Sequence, residues 1–115
     1  MKYAAPFKMN KQDSAITKVF GKAKYFGIYD DETNEIKVIQ NQNPGGPAIF
    51  AQLKQEGVDV ILTPHAGPGA VRGSLEFNIP LYYCGEDRKL LLEAVKEFQE
   101  GKYIQITPEN FAQFH

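Results

Sequence analysis

Three side chains in this sequence carry donors that suit a soft or borderline metal: the imidazole of His65, the thiol of Cys84 and the thioether of Met9. Each follows closely on a run that reads as a β-strand, "KYAAPF", "VDVIL" and "IPLYYC". His65 stands in "ILTPHAGPGAVRGSL" (61–75), where an apolar run turns through Gly67, Pro68 and Gly69 into residues compatible with a helix. The free N–H groups at such a helix opening could hold an anion, and the glycines could equally serve close backbone packing. Lys22 follows Phe20 and Gly21 in "VFGKA" and adds a cation. Set against these roles, a lone His at a loop tip is usually just solvated, and Cys84 ends an apolar strand, where a free Cys is usually buried.

Those groups do not assemble into a catalyst. There is no phosphate-loop signature and no G-x-S-x-G. One Cys and two His, His115 being terminal and expected to be mobile, supply no nucleophile–base pair. A non-enzymatic protein is therefore expected. A single cysteine excludes an internal disulfide and a Cys-rich zinc site, and suits a reducing compartment. The formal charge is −1, with 13 basic and 14 acidic residues, and the densest basic group, Lys18, Lys22 and Lys24, is too sparse for nucleic acid. "MKYAAPFKMNKQ" has no apolar core of a signal peptide, and no run approaches the roughly 18 apolar residues of a membrane span. A cytoplasmic protein with no membrane or nucleic-acid partner is expected.

The elements that must position these groups follow from period and punctuation. Residues 1–6 read as a strand ended by Pro6. Residues 7–23 are irregular, with a short extended piece at 16–18, and a loop this long is often functional. "KYFGIY" and "EIKVIQ" flank "DDETN" as an antiparallel hairpin. A helix with Pro47 in its first turn runs through Glu56 and stops at Gly57. A strand over 58–62, a helix over 68–77 with Asn78 as cap, and a strand over 79–84 come next. Asp87 caps a helix over 88–100, residues 103–106 add an edge strand, and "TPEN" opens a short terminal helix. Strands joined through helices are parallel, which places strands 1, 4 and 5 in one direction and strand 2 against them. Sites in such sheets lie at the carboxyl ends of the parallel strands, so one edge should gather His65, Cys84, Met9, Lys22, Tyr25 and the Gly67–Gly69 turn. The order of elements resembles ribonuclease H, but strand 1 has no carboxylate for Mg²⁺, and Asp30, Asp31 and Glu32 fall at the far turn.

Four stretches, "KYAAP", "VFGKAKYFGIYD", "GVDVILTPHAGPGAVRGSL" and "NIPLYYCGEDRKLLLEAVKEFQEGKY", carry a resemblance to the dinitrogenase iron–molybdenum cofactor biosynthesis family over residues 1 to about 103. The family includes cofactor carriers and other nitrogenase accessory proteins. The resemblance implies an α/β, ribonuclease-H-like three-layer fold: a five-stranded mixed sheet with strand 2 antiparallel and helices on both faces. It implies one domain over 1–115, with a short C-terminal extension at 104–115. It also implies a carrier or binding protein in metallocluster assembly, for an iron–sulfur cluster or an iron–molybdenum cofactor precursor. Phe20, Gly21, Lys22, Gly67 and Gly69 are the expected contacts. One departure stands out: the family's frequent histidine before Phe-Gly is Val19 here, and Pro64 replaces a common glycine. The hypothesis that follows makes His65 and Cys84 the substitute metal ligands. Its rivals are a small-anion module without metal, and an interaction domain that docks on a cluster-assembly partner. Phe111 and Phe114 would serve self-association unless they pack back, and a monomer or weak homodimer is expected.

Overall fold

A computed structural model describes residues 1–45 and 48–114. Side-chain alternation in the first strand sets the layers. In β1 (Lys2–Phe7), Tyr3, Ala5 and Phe7 point to one face of the sheet and Ala4 to the other. β1 pairs antiparallel with β2 (Tyr25–Asp30), which pairs antiparallel with β3 (Glu35–Gln40) across the expected hairpin. On its other side β1 pairs parallel with β4 (Val60–Thr63), and β4 pairs parallel with β5 (Leu81–Tyr83). α1 (Ala48–Gln55) and α2 (Pro68–Phe77) cover the Ala4 face through Ile49, Phe50, Leu53 and Val71. α3 (Leu91–Gln99) covers the Tyr3 face through Leu91, Ala94 and Val95.

The sheet has six strands rather than five, in the order β3-β2-β1-β4-β5-β6. Gly101, at φ +78, reverses the chain after α3 in a conformation that favours glycine. β6 (Ile104–Ile106) then pairs antiparallel with β5, and Ile106 buries its side chain in the α1/α2-side core. That burial draws the segment into the sheet.

Two other expectations need correcting. α3 starts at Leu91, not 88, and Asp87 does not cap it. Ala15 forms a bridge with Leu90, and the N–H of Ile16 donates to the Lys89 carbonyl, which holds this stretch extended. Glu93 then accepts the Leu90 N–H at 2.9 Å and closes the first turn. The terminal segment forms a turn at 107–110, closed by Asn110 on the Thr107 N–H, and then a 3₁₀ turn at Phe111–Phe114. The expected helix over 68–77 and its left-handed Asn78 cap are found. Pro47 in the first turn of α1, and His115, lie outside the described residues.

The stretch between β1 and β2 is firmly built. Phe7 bridges Ile16, Lys8 N–H donates to the Ala15 carbonyl, and Thr17 N–H to the Pro6 carbonyl. Close packing asks for glycine at two places. A Cβ on Gly27 would enter the Phe7 ring, and one on Gly73 would enter the Phe50 ring, where α2 meets α1. Among the described residues, no helix is long and apolar enough to cross a membrane.

Candidate functional site

On the α1/α2 side of the sheet, a cleft of about 600 Å³ lies between the 19–22 bend, Gly45, α1 and the opening of α2. Phe20 anchors the first wall. Its ring meets Phe26 edge-on at 5.3 Å and lies 5.7 Å from Phe50, so it is buried while Gly21 and Lys22 are left exposed. α2 supplies the opposite wall. Pro68 sits at its first position, and no side chain caps the Gly67 end. Gly69, Arg72, Gly73 and Glu76 follow at the i, i+3, i+4, i+7 spacing of one helix face. Ile49 and Phe50 of α1 add apolar surface.

The cleft's two cations are Lys22 and Arg72. Neither takes part in an ion pair among the described residues. A Cβ placed on Gly21, Gly67 or Gly69 would meet nothing within 4 Å, so these backbones are open to a ligand. The site can therefore surround an anion with a cation from each wall and open backbone at a helix N-terminus, over an apolar floor. Its described lining residues include no His and no Cys.

Five of the seven residues expected from sequence, Phe20, Gly21, Lys22, Gly67 and Gly69, thus line one cleft. His65 and Cys84 do not join them. Thr63 Oγ1 donates to the His65 carbonyl at 2.8 Å, and the imidazole Nε2 lies 3.4 Å from Glu86 Oε1. Glu86 lines a separate groove of about 680 Å³, with Lys8, Met9, Pro64 and Arg88. Cys84 is fully buried in the α3-side core, beyond the sheet from the cleft. Its Sγ lies 3.9 Å from the Gly85 carbonyl, and burial pushes the thiol up to about 12. A metal ligand must be a thiolate, which this environment opposes. Tyr25 also packs on the α3 side. The shared edge expected from topology is real, but the sheet splits it into two faces. Among the described residues, no group of three or more His, Cys, Asp or Glu is placed to hold a metal ion.

Arg72, Glu76, Gly45 and the α1 floor were not singled out from sequence. The helical spacing from Gly69 to Arg72 and Glu76 was the available signal.

Comparison with known proteins supports the fold and the family. The family model for dinitrogenase iron–molybdenum cofactor matches residues 1–101. The NMR structure of a Thermotoga protein, provisionally described as a NifB protein, superposes with a TM-score of 0.76 at 24% identity, covering 92% of this chain and 93% of that one. The apo form of the orange protein from Desulfovibrio gigas superposes with a TM-score of 0.79 at 21% identity, covering 91% and 92%. No curated protein matches the sequence.

Proposed function

This chain belongs to the dinitrogenase iron–molybdenum cofactor family, and from that premise we propose that the cleft is a non-catalytic binding site for an anionic metal–sulfur species. The cargo is an iron-containing cluster or a precursor of a nitrogenase-type cofactor, carried during metallocluster assembly. The fold in this reading is ribonuclease-H-like, as a carrier scaffold and not as a hydrolase. Lys22 and Arg72 neutralise the cargo's charge. The open backbone at Gly21, Gly67 and Gly69 lets it approach. Phe20, Ile49 and Phe50 exclude water beneath it, which strengthens each electrostatic contact.

One observation carries this reading: two segments distant in sequence, 20–22 and 67–69, converge on a single cleft whose cations, Lys22 and Arg72, have no ion-pair partner among the described residues. The reading assigns no metal bond to His65 or Cys84. Cys84 is sealed in the opposite core, and His65 reaches toward Glu86. The cargo in this role brings its own sulfide ligands, and the protein holds it by charge and shape.

Anaerobic titration with tetrathiomolybdate and with a reconstituted iron–sulfur cluster tests this, beside Lys22→Ala, Arg72→Ala and the double variant. Each single change is expected to weaken binding about tenfold, as for one charge-assisted contact. Lys18→Ala serves as a surface control. Affinity unchanged in the double variant refutes the proposal. The lack of His or Cys among the described lining residues favours a second reading, a small-anion module without metal. Thermal shifts with phosphorylated metabolites, set beside the metal–sulfur anions, separate the two.

A further inference from the structure

Within itself, the 20–24 bend that walls the cleft makes one turn contact, Ala23 N–H to the Phe20 carbonyl at 3.3 Å. Asn41 supplies what is missing. It is a polar residue only 2% exposed, placed one position past β3. Its side-chain amide donates to the Ala23 carbonyl at 3.0 Å, and its backbone N–H donates to the Lys24 carbonyl at 2.7 Å. Its Oδ1 accepts the Asn43 N–H at 3.1 Å, which curls the following loop so that Gly45 N–H donates to the Gly21 carbonyl. Ala23 is itself buried, so its carbonyl depends on this amide.

We infer that Asn41 is a positioning residue for the cleft: it clamps the Phe20-Gly21-Lys22 bend to the 41–45 loop and so sets where Lys22 and the open Gly21 backbone meet a ligand. This inference rests on the cleft being the binding site. The role needs a side chain that donates to one carbonyl and accepts one N–H at the same time, which an amide does and an ionised aspartate or an alanine cannot.

The test measures amide hydrogen exchange on the full chain together with tetrathiomolybdate affinity. Asn41→Asp and Asn41→Ala are expected to speed exchange at Ala23 and Gly45 about tenfold and to weaken binding by about the same factor, as for loss of one buried hydrogen bond. A Val95→Ala variant, which destabilises the remote α3-side core, should leave binding unchanged and so separates positioning from general loss of stability. Unchanged exchange in both Asn41 variants overturns the inference, as does wild-type binding in a variant whose bend has loosened. Coil-like exchange at Ala23 and Gly45 in the wild type overturns it without any variant. A wild-type chain that binds no anion, yet shows the exchange response, refutes the cleft reading and supports the hold of Asn41 on the bend.

Discussion

Gly69 and Gly73 sit one turn apart on α2, both on the cleft side, and a methyl group added at each should act in opposite ways. Alanine in a helix is worth up to about 1 kcal/mol over glycine, from the smaller backbone entropy lost on folding. At Gly69 the new Cβ meets nothing within 4 Å, so Gly69→Ala keeps whatever of that gain an N-terminal turn allows. At Gly73 the same atom would overlap the ring of Phe50, which is buried against Phe20 and Phe77 and has little room to withdraw. Overpacking of this kind costs about 1–3 kcal/mol. The two variants should therefore differ by about 2 kcal/mol, with Gly73→Ala the less stable. For a chain of this length that is a gap of roughly 8 °C in Tm. Paired thermal and urea melts read it directly. Binding should invert the order of merit for Gly69→Ala: a stable protein whose new methyl stands in the cleft and weakens tetrathiomolybdate affinity. A Gly73→Ala protein as stable as Gly69→Ala would refute the account of α1–α2 packing and of the cleft floor with it.

Three further outcomes follow from the same packing and charges. Burial raises the Cys84 thiol to about 12, so its neutral form is favoured by folding; that stability is complete below the unfolded thiol's pKa of about 8.5 and is lost as pH rises toward 12. Cys84→Ala should flatten the alkaline fall in stability relative to wild type, and native-state alkylation by iodoacetamide at pH 8 should be slow. The Glu97 carboxyl is held below its ordinary range, first by Lys89 at 2.6 Å and then by the Tyr103 hydroxyl at 2.6 Å. Its contribution is present above the ordinary carboxylate pKa and lost as pH falls through the lowered one, so acid melts of Glu97→Gln should converge on wild type, with a loss of only about 0.5 kcal/mol near neutral pH because the carboxyl is over a third exposed and screened by solvent. Val19 is half exposed at the cleft rim, at the position where the resemblance implies a histidine. Val19→His should strengthen binding of an iron–sulfur cluster with an open iron position, because imidazole is a ligand that suits iron. Tetrathiomolybdate, whose metal is already saturated, should bind no more tightly; equal gains for both would refute the distinction.

The order and direction of the strands were legible because the signals were local: β-branched runs, Gly57 and Gly101 as stops, and Asn78 as a left-handed cap. Five cleft residues were legible from their motifs. What escaped was set by contacts between distant segments. The start of α3 depends on Ala15 bridging Leu90, which no periodicity in 88–100 reveals. β6 was seen as an edge strand, but its place in the sheet rests on the burial of Ile106. The grouping of His65 and Cys84 with the Phe-Gly bend failed for a simple reason. Topology assigns residues to an edge of a sheet, whereas the pleat and the loop path decide the face. Cys84, just past β5, packs on the side of Leu62 and Val60, and the bend packs on the side of Ile61.

That division bears on how a cargo would arrive and leave. A chain of net charge −1 offers an anion no long-range attraction, so capture rate should change little with salt. Lys22 and Arg72 act within the cleft, beside the carboxylate of Glu76, and their pull reaches about one Debye length, roughly 8 Å at physiological salt. Salt should therefore speed release more than it slows entry. In the proposed carrier role, handing cargo on would need only a partner surface, or a local rise in ionic strength, that competes for those two cations. No side-chain metal bond to His65 or Cys84 has to break, because the sheet and the Glu86 contact keep both out of the cleft.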